Sequence, residues 1–331
     1  MVPFRHLGRS FLITLCAAVI ALSPGASASA EVTATFDVWH WNVAGNKMHH
    51  GSTTNGMVAR AVASILEDDR DLVAFNELCW GQYKAIQSAL GSAGWPDDST
   101  NYSRFATILG PTSGVCNGSE DFGNAIFSKQ PLGPASRFTL PPDGTREQRN
   151  LLCAGLLTTP GARFCTTHIT TSNVIADNGQ KHNVNQLNFV LDQMEAYRAA
   201  GETVIIAGDF NAQPDYGRLN NWYSSSLSTA HNGNNTGHYR ELDDNDPAQC
   251  LGYGEWTATG TPGDAPPCAN AEPHAKIDLI FVRDDRIAGP YYGDSRPIPT
   301  ACTGIPATPA YPAGSCSDHR MMTGTVPVLI G

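Results

Sequence analysis

Short polar segments at widely separated points of this 331-residue chain follow or precede apolar runs. Four of the five segments directly adjoin such a run, and the runs have the length of buried strands. A carboxylate or amide at the end of a buried strand is held rigidly and still faces solvent, as a metal-binding or catalytic group must. Several such junctions in one chain predict a single convergent site. The segments are Trp41-Asn42-Val43, Asn76-Glu77, Gly208-Asp209-Phe210-Asn211, Lys276-Ile277-Asp278 and Ser317-Asp318-His319-Arg320.

The first 30 residues are predicted to be a secretory signal peptide, with a buried N-terminal helix as the alternative. Arg5 and Arg9 precede an apolar run at residues 11–22 that is too short to span a membrane. Ala28-Ser29-Ala30 then has the form of a cleavage site. We therefore expect a secreted, extracellular protein. Residues 31–331 are expected to form one catalytic domain, because no low-complexity linker divides them.

The cysteines agree with export. The sequence has nine cysteines, and removal of Cys16 with the signal peptide leaves eight. An even number in an exported chain predicts disulfides. A metal–thiolate cluster is disfavoured, because no Cys-x-x-Cys occurs. We expect each pair to close one loop between neighbouring strands, as Cys79–Cys116, Cys153–Cys165, Cys250–Cys268 and Cys302–Cys316.

Apolar patterning predicts alternating helices and strands with hairpins, which favours mixed sheets over purely parallel ones. Helices are expected over residues 55–68, 80–90 and 183–200, the second ending at Gly91 and the third at Gly201. Residues 214–275 and 290–316 are rich in Gly, Asn, Asp or Pro and are expected to be mostly irregular. Strands are expected over residues 33–43, 71–75, 105–109, 124–128, 151–158, 163–167, 204–207, 277–282 and 325–330.

In their order along the chain, the polar segments resemble the endonuclease/exonuclease/phosphatase superfamily, which includes deoxyribonuclease I. The specific motifs are Gly-Asp-Phe-Asn at 208–211 and Ser-Asp-His-Arg at 317–320, and the resemblance runs from about residue 36 to about residue 328. It implies an α/β (α+β) fold, a four-layer sandwich of two packed mixed β-sheets flanked by helices. It also implies a phosphoric ester hydrolase that depends on Mg²⁺ or Mn²⁺, and it leaves a structural Ca²⁺ open.

The resemblance implies a metal site formed by Asn42, Glu77 and Asp318. Glu77 would be the principal ligand, and a hard divalent cation does prefer carboxylate oxygen. Asn42 would orient Glu77 or complete the metal shell through its amide oxygen, and Asp318 would lie beside the ion. The alternative for Glu77 and Asn42 is an ordinary solvated turn.

The resemblance also implies the catalytic groups. Asp209 would orient or activate the attacking water, and Asn211 would contact the phosphate, although an Asp-x-Asn turn is common without function. Asp278 would fix the tautomer of His319, leaving the other imidazole nitrogen free to take a proton from water. His168 would contact the phosphate or assist the leaving group, with a structural role as the alternative for a lone histidine after an apolar strand.

Arginines and the remaining histidines complete the expected assignments. Arg149 matches a phosphate-binding position, with Arg146 as a rival. Four histidines without a matching motif are expected at the surface. They are His49, His50, His231 and His238.

A secreted nuclease that hydrolyses nucleic acid by in-line water attack is the first interpretation of substrate. The formal charge of −10 becomes −12 without Arg5 and Arg9, which disfavours tight nonspecific DNA binding but leaves a local basic groove open. A sphingomyelinase-type phosphodiesterase is the rival, with Trp222-Tyr223 and Tyr291-Tyr292 as membrane-facing aromatics. An inositol- or sugar-phosphate phosphatase is third, and a non-enzymatic exported binding protein is last. We expect a monomer without stable membrane association.

Overall fold

The computed structural model describes Met1 and residues 31–95, 101–247, 250–259 and 274–331. Glu31–Gly331 form one compact unit. Apart from Met1, the predicted signal peptide lies outside the described residues, and Cys268 lies outside them too. Within the described part of the chain, no helix combines the length and apolar character needed to cross a membrane.

Three α-helices and two large sheets organise the described residues. The helices are α1 (Met57–Glu67), α2 (Trp80–Ser92) and α3 (His182–Ala199). The strands are β1 (Val32–Asn42), β2 (Leu72–Cys79), β3 (Ser103–Leu109), β4 (Phe122–Ser128), β5 (Leu132–Thr139), β6 (Asn150–Leu156), β7 (Ala162–His168), β8 (Thr203–Asp209), β9 (Tyr239–Glu241), β10 (Ala258–Thr259), β11 (His274–Ala275), β12 (Asp278–Arg283), β13 (Tyr292–Arg296) and β14 (Met321–Ile330).

The two sheets pack face to face. The first has the order β13-β14-β1-β2-β4-β3, the second has the order β5-β6-β7-β8-β12-β9, and each contains one parallel pair among antiparallel neighbours. Phe36 and Val38 of the first sheet pack with Phe164 and Ile205 of the second in the central core. Helices α1 and α2 cover the outer face of the first sheet, and α3 covers that of the second. The predicted four-layer sandwich of two mixed sheets is confirmed.

Strand register brings predicted site residues together at strand ends. In the first sheet, Asn42 is paired with Asn76 across the parallel strands β1 and β2. In the second, Asp209 at the end of β8 is paired with His168 at the end of β7 and with Asp278 at the start of β12. Residues paired across neighbouring strands project their side chains to the same face of a sheet. Within each sheet, polar junctions that are far apart in sequence are therefore neighbours in space.

The structure differs from the predicted elements mainly at the sheet edges. Strands β5, β9 and β13 are absent from the prediction, and each is an edge strand of a large sheet. Edge strands are only partly buried and need no continuous apolar pattern. Gly91 does not end α2, which continues to Ser92. A Cβ at Gly91 would lie 2.9 Å from Tyr102 Oη, so this glycine permits close packing instead.

Three of the four predicted disulfides are formed, Cys79–Cys116, Cys153–Cys165 and Cys302–Cys316. Cys250 is also disulfide-bonded. Its predicted partner, Cys268, lies outside the described residues.

We expect all eight cysteines of the mature chain to be oxidised. Mass spectrometry of the unreduced protein should then show a deficit of about eight hydrogen atoms relative to the reduced form, two for each bridge. Loss of one bridge should lower the free energy of unfolding by about 2–5 kcal/mol. An alkylating agent that labels thiols in the native, unreduced protein would contradict full oxidation.

Candidate active site

Asp209 is the carboxylate on which the predicted residues converge. It is 2% exposed, and its Oδ2 accepts a hydrogen bond of 3.0 Å from Asn42 Nδ2. The same oxygen lies 3.4 Å from His168 Nε2 and 3.9 Å from His319 Nε2. Burial, and next the neighbouring Asp278 carboxylate, raise the pKa of Asp209 to about 7. Asp209 is therefore a weaker acid than a solvent-exposed aspartate.

Asp278 and His319 form the predicted buried pair. His319 Nδ1 and Asp278 Oδ2 are 2.8 Å apart. Burial alone would lower the pKa of His319, but the Asp278 carboxylate, together with Asp209 and Asp318, holds that pKa well above its ordinary value. Burial alone would likewise raise the pKa of Asp278, which His319 and a second imidazole, His40, hold below its ordinary value. The pair is an ionised carboxylate beside a strongly basic imidazole.

A β-bulge orients Glu77. The pairing of β2 with β4 shifts register between Phe75 and Leu78, and Glu77 has a φ of 57°. Bulges of this kind redirect a side chain out of the regular pleat and occur next to active sites. Asn42 Nδ2 donates to Glu77 Oε1 at 3.1 Å as well as to Asp209. One amide group thus links the carboxylates of the two sheets.

Asn42 contacts Glu77 through nitrogen. Its Oδ1 accepts the Ala44 N–H at 3.1 Å, and both carboxylate contacts require a donor. The network therefore assigns the amide orientation. Of the two roles predicted for Asn42, this geometry fits orientation of Glu77 better than metal binding through the amide oxygen.

Asn76 joins the sheets behind the carboxylates and was missed as a site residue. Its Oδ1 accepts the Asp209 backbone N–H at 2.8 Å, while its Nδ2 donates to Asn124 Oδ1 at 3.0 Å and Thr166 Oγ1 at 3.3 Å. The sequence placed Asn76 in the Asn-Glu junction. Its partners in β4, β7 and β8 are not adjacent in sequence, so the pattern gave no sign of this role.

Arg149 contacts the second histidine of the site. Arg149 Nη1 donates to His168 Nδ1 at 2.7 Å, so the neutral imidazole keeps its proton on Nε2, which faces Asp209. Burial, and next the Arg149 guanidinium, hold the pKa of His168 well below its usual range. Arg146 instead donates to Ser113 O at 3.3 Å. The structure brings Arg149, and not its rival, to His168.

Asn211 and Asp318 are also held by neighbours. Asn211 has a φ of 46°; its backbone N–H donates to Asp209 Oδ1 at 2.9 Å, and its Nδ2 donates to Ile169 O at 2.8 Å. Asp318 Oδ2 accepts a hydrogen bond from Lys47 Nζ at 2.7 Å. Asn211 therefore adjoins the central carboxylate, whereas Asp318 lies in an ion pair with a 65% exposed lysine side chain.

Carboxylate oxygens suited to a hard divalent cation are present on both sides of Asn42. A group that could hold a metal ion is formed by Asp209, Asp278 and His319, whose ligand atoms lie within 4.8 Å of one another. Both oxygens of Asp278 already accept hydrogen bonds from imidazoles. Among the described residues, the Glu77 side chain accepts one hydrogen bond, at Oε1. Glu77 therefore has more capacity than Asp278 to bind an ion.

Disulfides lie close to three site segments along the chain. Cys79 is two residues after Glu77, and Cys316 is three residues before His319. Cys165 is three residues before His168. These bridges restrict the backbone beside the side chains of the site.

Two histidines correct the sequence interpretation. His49 was predicted at the surface, but it is 3% exposed and its Nε2 lies 3.0 Å from Cys316 O. A buried imidazole next to the disulfide-anchored loop has no sequence signature. No sequence motif marks His40, yet it is fully buried and its Nε2 lies 2.9 Å from Asp278 Oδ1.

A model of the endonuclease/exonuclease/phosphatase family matches residues 39–319. The chain belongs to this family. Family members hydrolyse phosphoester bonds and generally use divalent metals, so the chain is a phosphoesterase of that family. A search of curated protein sequences found no match.

Solved structures of low sequence identity share the fold. An endonuclease/exonuclease/phosphatase from Beutenbergia cavernae is 16% identical with a TM-score of 0.54, covering 90% of this chain and 72% of that one. The human Nocturnin catalytic domain with bound sulfate is 14% identical with a TM-score of 0.56, covering 90% and 97%. D. rerio TDP2 complexed with single-strand DNA product is 18% identical with a TM-score of 0.52, covering 88% and 98%.

Proposed function

We propose that this chain is a secreted, divalent-metal-dependent phosphodiesterase that hydrolyses nucleic acid. The observation that supports the proposal most strongly is the convergence of Asn42, His168 and His319 on one oxygen of Asp209. This convergence places three kinds of group in one small site: an acid–base pair, a neutral imidazole, and carboxylates that suit a hard cation.

The chain's own groups divide the work of hydrolysis. His319 Nε2, with Nδ1 held by Asp278, accepts a proton from the attacking water, and Asp209 orients that water. The water oxygen bonds to phosphorus as the opposite P–O ester bond breaks, and the departing alkoxide takes a proton from solvent to give the alcohol. No covalent enzyme intermediate forms. Asn211, His168 and Arg149 stabilise the charge of the pentacovalent transition state.

We assign Glu77, oriented by Asn42, to the metal, and Asp318 is the second carboxylate of that assignment. A bound Mg²⁺ or Mn²⁺ would supply Lewis-acid chemistry that lowers the negative charge of the phosphate group during hydrolysis.

Nucleic acid is favoured over lipid as substrate by the positions of the aromatic residues. Trp222 and Tyr223 are fully buried, so they are not available for membrane contact. Of the four aromatic residues considered for membrane contact, Tyr292 is the strongly exposed one, with 61% of its surface accessible. Among the structural neighbours, TDP2 was solved with a single-strand DNA product.

Side-by-side hydrolysis assays test the substrate. Residues 31–331 with Mg²⁺ should cleave plasmid DNA or RNA, and His319→Ala protein purified in the same way should not. Cleavage of sphingomyelin vesicles or inositol phosphates, with DNA and RNA left intact, would contradict the nucleic acid assignment and leave a phosphoesterase of another specificity.

Export is supported by the N-terminal sequence pattern and by the three disulfides. Protein recovered from the culture medium should begin at Glu31, as determined by mass spectrometry of its N-terminal peptide. An intact residue 1–30 segment on the mature protein would contradict the signal peptide.

The pH dependence of kcat/KM should report His319. Because Asp278 holds the His319 pKa well above its ordinary value, the imidazole must lose a proton as pH rises before it can act as base. Asp278→Asn removes the negative charge while burial still lowers the pKa. The acidic limb of the profile should therefore move to lower pH, and the maximum rate should fall. A limb that stays in place would contradict His319 as the titrating base.

A further inference from the structure

The inner face of the first sheet carries a fully buried histidine that the proposed mechanism does not use. His40 lies on β1 and is 0% exposed. Its Nε2 donates across the space between the sheets to Asp278 Oδ1 at 2.9 Å. Its Nδ1 is buried and has no hydrogen-bond partner among the described residues. The contact with Asp278 is therefore the side-chain hydrogen bond that orients this ring.

Asp278 consequently lies between two imidazoles. Oδ1 accepts from His40 and Oδ2 contacts His319 Nδ1 at 2.8 Å. The terminal torsion of an aspartate is broad, so hydrogen bonds to its two oxygens set the plane of the carboxylate. The plane in turn sets the direction from which Oδ2 meets the His319 ring. Loss of the donor at Oδ1 would also leave a buried charged oxygen unpaired, which is strongly unfavourable.

A space-filling role alone does not account for His40. An apolar side chain of similar size would fill the same position without burying an unpaired nitrogen, and a buried polar atom without a partner costs free energy. Unlike an apolar residue, the histidine provides an N–H that donates to Asp278 from the opposite sheet.

We infer that His40 is a positioning residue of the active site: its Nε2–H holds Asp278 Oδ1, so that Oδ2 keeps His319 in the orientation needed to take a proton from water. The inference rests on the proposed function. Asp278 and His319 lie between His40 and the reacting water, so His40 does not contact the phosphate. His40 therefore affects turnover and leaves substrate binding almost unchanged.

A matched pair of variants isolates the hydrogen bond. His40→Gln and His40→Met have unbranched side chains of similar length, but only glutamine carries an N–H that can reach Asp278. We expect His40→Met to lower kcat by about 10–100-fold, the usual effect of removing a partner that orients a functional group, with KM nearly unchanged. His40→Gln should recover most of that loss.

Ser64→Ala is the control for stability. Ser64 Oγ accepts the indole N–H of Trp39, the residue next to His40, at 3.1 Å, so this variant removes a buried hydrogen bond to the same strand. It should lower the melting temperature and leave kcat unchanged. A His40→Met enzyme with native kcat, or a His40→Gln enzyme as impaired as His40→Met, would overturn the positioning role.

Proton NMR separates this inference from the proposed function, because it needs no substrate. The His319 Nδ1 proton shared with Asp278 should give a downfield resonance in the wild type and in His40→Gln. In folded His40→Met it should broaden or shift upfield. An unchanged resonance in His40→Met would refute the positioning role even if no phosphodiester were hydrolysed, whereas a changed resonance in an inactive protein would leave it standing and reject only the substrate assignment.

Discussion

His319→Ala is expected to lower kcat by about 10²–10⁴-fold, the usual loss when a general base is removed. His319 Nε2 is the imidazole nitrogen that faces Asp209, and Nδ1 is occupied by Asp278. No other group in the described part of the chain has this arrangement of a carboxylate-held imidazole beside Asp209. KM should change far less, because the proposed mechanism gives His319 no contact with the bound phosphate.

Asp278→Ala should cause a comparable loss, and the double variant should be little worse than either single one. Residues that act as one unit show strongly non-additive effects on the free energy of activation. The measurement is kcat and KM for both singles and the double. His168→Ala provides the contrast, since a phosphate contact should weaken both binding and turnover. Additive losses would mean that Asp278 and His319 work independently, and near-native kcat in His319→Ala would remove it from the mechanism.

Removal of divalent metal is expected to abolish activity. EDTA should stop hydrolysis, and Mg²⁺ or Mn²⁺ should restore it. Glu77→Gln keeps the shape of the side chain but removes the charge that we assign to metal binding, so its activity should fall to the level seen in EDTA. Glu77 is half-buried and held by one hydrogen bond from Asn42, so the variant should remain folded.

Thermal unfolding gives a metal readout that is independent of turnover. A ligand that binds only the folded state at 100 times its Kd stabilises it by about 2.7 kcal/mol. Mg²⁺ should therefore raise the melting temperature of the wild type but not that of Glu77→Gln. Glu120→Gln is the control, because Glu120 is a half-buried carboxylate that caps the Gly81 N–H at 3.0 Å outside the site. Full activity in EDTA would reject the metal assignment.

The core strands and the helices were predictable from the sequence because the spacing of apolar residues directly reflects which positions are buried. Strands such as β8 are apolar throughout and end at a polar junction, so both the strand and Asp209 were visible in the pattern. Edge strands such as β13 are half-exposed and polar, so they were not. The α3 prediction rested on an apolar stripe and therefore also reported burial. The error at Gly91 has another cause, because that glycine makes room for Tyr102 and does not end the helix.

The site was predictable where a motif marks a strand end and unpredictable where a contact crosses between sheets. His40 and Asp278 are 238 residues apart in sequence, and Asn76 and Asp209 are 133 residues apart. Neither pair has a local spacing that could reveal it. The ion pair of Asp318 with Lys47 and the burial of His49 also depend on how the loops pack, which composition does not determine.

In the proposed mechanism, water activated within this site attacks phosphorus. The most direct test is a single turnover of a phosphodiester substrate by the mature protein with Mg²⁺, in water labelled with heavy oxygen, followed by mass spectrometry of both products. The proposed mechanism predicts one labelled oxygen on the phosphate product and none on the alcohol, with no label incorporated by His319→Ala. Label on the alcohol product, or no turnover of any phosphodiester by the folded, metal-loaded protein, would contradict it.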